Sequence, residues 1–163
     1  MKRCLFAASL ALAVVAILGF ASPVAAGEQV PFKGSLEGER VAFVPLEYAQ
    51  INAAGKATQL GQYELVIRAN LSPGAPAATG TFEFVAANGD TLTGEFIGER
   101  FPTEIPGVDA FVETAIITGG TGRFAGATGG FRTARTAWLS DTGTLVTVGA
   151  FEGTISTPGP GNP

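Results

Sequence analysis

The chain has 163 residues, of which 46% are hydrophobic and 15% charged, and its formal net charge is −4. It contains 23 glycines, one cysteine and no histidine. The missing histidine excludes the commonest general base and metal ligand, and with them Ser-His-Asp and Cys-His catalysis. The single cysteine, Cys4, excludes an intramolecular disulfide and a Cys-ligated zinc site. The acidic balance argues against nucleic acid as a partner.

Residues 1–26 have the organisation of a cleavable export signal. Lys2 and Arg3 precede an apolar run, and a segment of small residues ending at Ala26 follows it. A basic start, an apolar core of this length and small residues at the cleavage site are typical of secretory signal peptides. We therefore expect cleavage near Ala26, which also removes Cys4. The mature protein is expected to be secreted or periplasmic, with no membrane span.

Beyond residue 26, apolar and polar residues alternate, which predicts strands rather than helices. The first two candidates, 30–36 and 40–48, are weak, and Pro45 weakens the second further. Stronger candidates bring the total to about eight strands, and they cover residues 63–71, 81–86, 91–97, 110–118, 130–139 and 144–156.

Turn signals separate these strands. Asn88-Gly89 between two alternating runs is the strongest short hairpin signal that a sequence offers. The Pro- and Gly-rich tail, 157–163, is predicted to be disordered. Residues 27–156 are therefore predicted to form one all-β domain, a closed antiparallel barrel of about eight strands, with a β-sandwich as the alternative.

A Phe-x-Gly pattern recurs along the chain. Residues two apart in a strand share a face, so each glycine leaves bare backbone beside a ring. Glycine there permits strong coiling, and a neighbouring aromatic ring can cover the gap. The pattern favours a closed, curved sheet, although stacking aromatics for a ligand are the alternative. It occurs at Phe32/Gly34, Phe96/Gly98, Phe124/Gly126 and Phe151/Gly153.

The most distinctive stretch is residues 116–129, I-I-T-G-G-T-G-R-F-A-G-A-T-G, which we call the glycine segment. It contains G-x-G-x-x-A, but no helix can follow it, so it does not predict a dinucleotide site. It resembles the G-G-T-G-x-F-x-x-A-x-G segment of the allene oxide cyclase and dirigent barrel superfamily. Within that superfamily, it is most similar to the corresponding segment of a group of small bacterial secreted proteins.

That resemblance implies an eight-stranded antiparallel barrel in which the segment joins two strands. Plant members of the superfamily steer a reactive substrate inside the barrel without a cofactor, so none is expected in this chain. No catalytic residue of theirs can be matched to a position in this sequence. The residues that carry the resemblance, and are expected to be structural, are Gly119, Gly120, Gly122, Phe124, Gly126 and Gly129.

Several charged residues alternate with bulky apolar neighbours. In a sheet with one solvated face, they simply mark the outside. In the lumen, a desolvated carboxylate paired with an arginine can act as an acid, a base or a ligand clamp. The candidate ligand-binding residues under this second hypothesis are Arg68, Glu113, Arg132, Tyr63 and Trp138.

With 12 phenylalanines but two tyrosines and one tryptophan, the interior is predicted to be apolar or packed. We expect a non-catalytic protein, either a binder of a small apolar molecule or a structural domain. The alternative is a cofactor-free cyclase or isomerase acting on an apolar substrate in the lumen. Both ligand binding and catalysis need a real cavity there. No metal and no nucleic-acid partner is expected, and the sequence leaves the oligomeric state open.

Overall fold

The structure is a computed structural model that describes residues 27–71 and 77–156. The predicted signal peptide, 1–26, and the predicted tail, 157–163, lie outside the described residues. The described residues form eight strands and one short 3-10 helix, Gly122–Phe124. The strands are β1 (Gln29–Val44), β2 (Tyr48–Ala57), β3 (Gly61–Asn70), β4 (Ala78–Ala86), β5 (Thr91–Pro102), β6 (Val108–Gly120), β7 (Gly129–Leu139) and β8 (Leu145–Ser156).

The strands form a closed antiparallel barrel. Each strand pairs with the next along the chain, and β8 pairs with β1 to close the ring. The closing pair runs from Gln29 opposite Ser156 to Glu39 opposite Val146. The predicted all-β barrel is therefore confirmed, and the sandwich alternative is wrong.

The first two strands differ from the sequence prediction. The weak candidates 30–36 and 40–48 belong mostly to a single strand, β1, which bends at a register shift between Arg40 and Ala42. Pro45 lies in the turn that follows β1. The prediction missed β2, because its inward-facing side chains are mostly alanine and glycine, and so the apolar alternation is weak.

Phenylalanine rings fill the lumen and lie against glycines of neighbouring strands. A Cβ added to any of these glycines would lie less than 3 Å from the side chain of the opposite phenylalanine. The rings therefore take the space that a side chain would need, which allows the wall to coil tightly around its core. The opposed pairs are Gly34–Phe151, Gly80–Phe96, Gly94–Phe82 and Gly153–Phe131.

The two ends of the barrel differ in where their apolar side chains lie. Loops 58–60, 87–90 and 121–128 form the glycine end, where Leu60, Phe124 and Ala127 turn inwards and are buried. The opposite end, which we call the apolar end, exposes its apolar side chains. It is formed by residues 40–47, 99–107 and 138–145.

The glycine segment closes the glycine end. It runs from the end of β6, through the 3-10 helix, to the start of β7. Arg123 in this helix forms an ion pair with Asp90 (Nε to Oδ2, 3.5 Å) and donates from Nη2 to the Leu60 carbonyl oxygen (3.3 Å). One side chain thus links all three loops of this end.

Candidate functional site

Two opposite charges lie inside the barrel. Glu113 on β6 faces Thr133 on β7, and Arg135, two residues further along β7, points to the same side of the sheet. The two residues are only 6% and 7% exposed. Both side chains are therefore largely removed from water, as a functional site in the lumen requires.

Every nitrogen and oxygen of the two charged groups forms at least one hydrogen bond. Arg135 donates to Glu113 Oε1 from Nε (3.1 Å) and Nη2 (2.7 Å), and from Nη1 to Thr147 Oγ1 (3.3 Å). Thr147 in turn donates to the Thr136 carbonyl oxygen at 2.7 Å. The Phe111 ring covers the guanidinium, with 4.2 Å between its centroid and Cζ.

The ion pair between Glu113 and Arg135 offsets the cost of burying the two charges. A lone buried charge loses several kcal/mol of hydration, which a bidentate partner and further hydrogen bonds offset. Among the described residues, no buried side-chain nitrogen or oxygen lacks a hydrogen-bond partner. The pair is thus held in one geometry, with its donors and acceptors already engaged.

The structure places the predicted arginines elsewhere. Arg68 and Arg132 are exposed on the outer face, because the residues on either side of each, Ile67, Ala69, Phe131 and Thr133, are buried in the lumen. Of the predicted carboxylate–arginine site, the lumen contains Glu113 but neither of these arginines.

The arginine that pairs with Glu113 is Arg135, and not the predicted Arg68 or Arg132. Arg135 and Phe131 are four residues apart on β7 and therefore share a face, whereas Arg132 is on the other. An inward-facing phenylalanine on the same strand was the signal that would have identified Arg135.

Tyr63 and Trp138 also separate. Tyr63 is buried in the lumen, where its hydroxyl donates to the Ser35 carbonyl oxygen at 2.6 Å, and burial raises the pKa of this phenol well above its usual range. Trp138 is half-buried on the outer face near the apolar end, because the neighbouring Ala137 faces inwards. Of the five predicted residues, Glu113 and Tyr63 thus face the lumen.

The space left in the lumen is small. The pocket beside Glu113 and Thr133, between Phe82, Phe96 and Phe131, encloses about 20 Å³ open to water-sized molecules. That is room for about one water molecule, whereas pockets for small organic ligands span roughly 300–1,000 Å³. The lumen is therefore filled by its own side chains.

A second concave region lies on the outside of the barrel. It is an open depression of about 880 Å³ over β1 to β4, and its polar lining includes Glu37, Lys56, Gln62 and Glu64. Gly55 lies in its floor. This surface is open to solvent, so it lacks the enclosure of a pocket that desolvates a ligand.

Two other kinds of feature are absent from residues 27–71 and 77–156. No helix there is both long and apolar enough to cross a membrane. No group of three or more histidine, cysteine, aspartate or glutamate residues there is placed to hold a metal ion.

Comparison with protein-family models, with curated proteins and with solved structures found no match to this chain. The roles of the filled lumen and of the ion pair are therefore inferred from geometry.

Proposed function

We propose that this protein is an exported, non-catalytic β-barrel domain that acts through its outer surface, as a structural or interaction module, and not as a container for a small molecule. The observation that carries this proposal is the filled lumen, with about 20 Å³ left beside Glu113. A ring cluster occupies the place where a ligand would bind. It consists of Phe32, Tyr63, Phe82, Phe84, Phe131 and Phe151, with ring centroids 4.9 to 6.3 Å apart.

The alternative, a cofactor-free cyclase or isomerase, draws support from the buried carboxylate and guanidinium of Glu113 and Arg135. A reacting substrate would need to reach these groups and form hydrogen bonds with them. Their bonds are directed at each other and at Thr147, and the adjacent space admits about one water molecule. The geometry therefore favours a structural ion pair over a catalytic one.

A relation to the allene oxide cyclase and dirigent superfamily is part of the same proposal. Two features support it: the barrel has eight antiparallel strands, and the glycine segment joins β6 to β7. Within that superfamily the protein would then be a barrel whose lumen serves stability and whose surface serves function.

The lumen can be tested by ligand retention. The purified protein is incubated with a bacterial lipid extract and re-isolated by size exclusion, and retained molecules are identified by mass spectrometry. The expected result is no apolar compound at stoichiometric amounts. Phe84→Ala, which removes a fully buried ring, is the positive control and should retain small apolar molecules. A stoichiometric compound in the unsubstituted protein would contradict the proposal.

Export has its own test. When the protein is expressed with its first 26 residues in a bacterial host, it should be recovered outside the cytoplasm. Its mass should be that of a chain whose first residue is Gly27. Ala26→Arg places a large cation at the cleavage position, where small residues are required, so the precursor should remain uncleaved. An unprocessed, cytoplasmic protein would contradict export.

A further inference from the structure

Exposed apolar side chains are concentrated at one end of the barrel. Of the ten large hydrophobic residues exposed among the described residues, seven belong to the apolar end and three to the outer wall, and the glycine end has none. The seven are Val41, Phe43, Val44, Leu46, Phe101, Ile105 and Leu139.

At this end, two opposed hairpins each extend past the neighbouring strand on one flank. β1 continues to Val44, although its pairing with β8 stops at Glu39. β5 continues to Pro102, although its pairing with β4 stops at Gly98. At about 3.3 Å per residue, each hairpin extends several residues past that one neighbour. Its other flank stays paired, β2 with β3 from Tyr48 and β6 with β7 from Val108. The residues from Val41 to Val44 are all exposed, although β1 stays paired with β2 as far as Val44 opposite Tyr48.

The positions of the tips define a plane. In a ring of eight strands, the β1–β2 and β5–β6 tips lie on opposite sides of the barrel mouth, and the β7–β8 tip lies a quarter turn away. Each carries at least one of the seven apolar side chains. Three apolar points around one mouth fit a broad, deformable, apolar surface better than they fit a groove.

Charge narrows the choice of partner. Both arginines of this end are occupied, since Arg40 stacks on Phe43 at 4.0 Å and Arg100 pairs with Asp109 at 2.7 Å. No ion pair within the described residues involves the carboxylates of Glu47, Glu99, Glu104 and Asp141. A second copy would bring an identical set of carboxylates against these, and an anionic lipid surface would repel them.

We propose that the apolar end docks on the surface of a lipid bilayer of net neutral charge, with its three hairpin tips inserted among the headgroups. This inference rests on the proposed function, since it gives the surface module a partner. Apolar side chains that insert at this depth bind in proportion to the area they bury. The carboxylates of Glu47, Glu99, Glu104 and Asp141 stay at headgroup level, where they repel anionic lipids.

Vesicle flotation tests the proposal. The chain beginning at Gly27 is suitable, because the whole closed barrel lies within residues 29–156. It should float with phosphatidylcholine vesicles, and binding should weaken when phosphatidylglycerol is added and recover with salt. Absence of binding, or tighter binding to the anionic vesicles, would overturn the proposal.

Matched variants assign the surface. Leu46→Asp with Ile105→Asp, on opposite tips, should reduce vesicle binding at least about tenfold, a loss of roughly 1.4 kcal/mol. Ile116→Asp with Ile97→Asp, on the outer wall, is the control and should leave binding unchanged. Leu46 and Ile116 match closely, at 64% and 63% exposed. Equal losses in the two double variants would overturn the assignment, with folding checked by circular dichroism.

Two other outcomes are distinguishable. If analytical ultracentrifugation finds an oligomer that the tip variants dissociate, the apolar end belongs to a second copy and the membrane proposal fails. Failure of vesicle binding alone leaves the filled-lumen function untouched. Conversely, a lipid molecule retained in the lumen of the purified protein, in the absence of vesicles, would contradict the proposed function. It would not contradict the proposal that the apolar end docks on a bilayer.

Discussion

Arg135 donates to Glu113 from both Nε and Nη2, and both residues lie inside the barrel, each less than a tenth exposed. Removing one partner leaves the other charge buried and unpaired. Arg135→Met should therefore lower the free energy of unfolding by about 3–5 kcal/mol, measured by denaturant titration. Arg132→Met, on the outer face of the same strand, should change it by less than about 0.5 kcal/mol.

The same pair predicts a rescue. Replacing both residues, Glu113→Leu with Arg135→Met, removes the desolvation cost together with the attraction, so stability should return to near that of the parent chain. A double variant as unstable as the worse single variant would indicate that packing around Phe111, and not charge, dominates the effect.

The glycine end offers a test of the glycine segment. Gly122 and Gly126 both have left-handed backbones, with φ of +56° and +72°. A Cβ on Gly126 meets nothing within 4 Å, whereas a Cβ on Gly122 would lie 1.8 Å from Asp90 Oδ1. Gly126→Ala should cost about 1 kcal/mol, and Gly122→Ala about 1 kcal/mol more, because Asp90 must move away from Arg123.

A background variant isolates that clash. With Asp90→Ala already present, the stability lost through Gly122→Ala should fall to the value for Gly126→Ala. An undiminished loss would show that Asp90 is not what constrains Gly122. Thermal and denaturant unfolding of the parent, the three single variants and the double variant provide the measurement.

Tyr63 should make the barrel sensitive to alkaline pH. Burial raises the pKa of its phenol in the folded state, so the unfolded chain ionises first. The stabilising contribution is complete below about pH 10 and declines above it, by up to about 1.4 kcal/mol per pH unit. Denaturant titrations at pH 8, 10 and 11 measure this slope.

Tyr63→Phe is the control for that slope. It should flatten the alkaline decline, and at neutral pH it should cost about 1 kcal/mol, because the Ser35 carbonyl oxygen loses its donor. If the phenylalanine variant loses stability above pH 10 as steeply as the parent, another group is responsible.

Phe84 should be the most costly ring to remove. It is 1% exposed and packs on Phe32, Tyr63, Phe82 and Phe151. Phe84→Ala should cost about 3–5 kcal/mol and open an apolar cavity that takes up xenon, detected by the ¹²⁹Xe chemical shift. As a control, Phe101→Ala at a half-exposed position should neither lower stability by this amount nor create a xenon-binding cavity. Xenon uptake by the parent protein would contradict a filled lumen.

Alternation in the sequence was sufficient for the fold class but not for the site. It identified β3 and placed Tyr63 on the same side as Leu65, where the structure has both buried. It failed at β2, where small side chains leave little contrast between the two faces. Alternation shows which residues share a face of a strand. A residue known to be buried on that strand is needed to say which face lines the lumen.

Register shifts add to that difficulty. One lies where Thr93 and Gly94 of β5 face Gly119 and Ile117 of β6, which makes Thr118 the extra residue. The position of a β-bulge cannot be read from the sequence of one strand, because the extra residue is defined only by its pairing with the opposite strand. The pairing of β6 with β7 is regular, so the error over the partner of Glu113 has another cause. Arg135 shares a face with the inward Phe131, whereas the predicted Arg132 lies on the other face.

Because the ring of strands is closed, the chain ends could be moved to another turn without removing any strand pairing. Seven of the eight strand pairings join neighbours along the chain, and only β1 with β8 joins distant segments. Because Gln29 lies opposite Ser156, a short linker could connect them and new ends could be opened in the exposed turn at 140–144. Such a circular permutant keeps every pairing, and its folding rate would measure how much of the barrier comes from closing the ring.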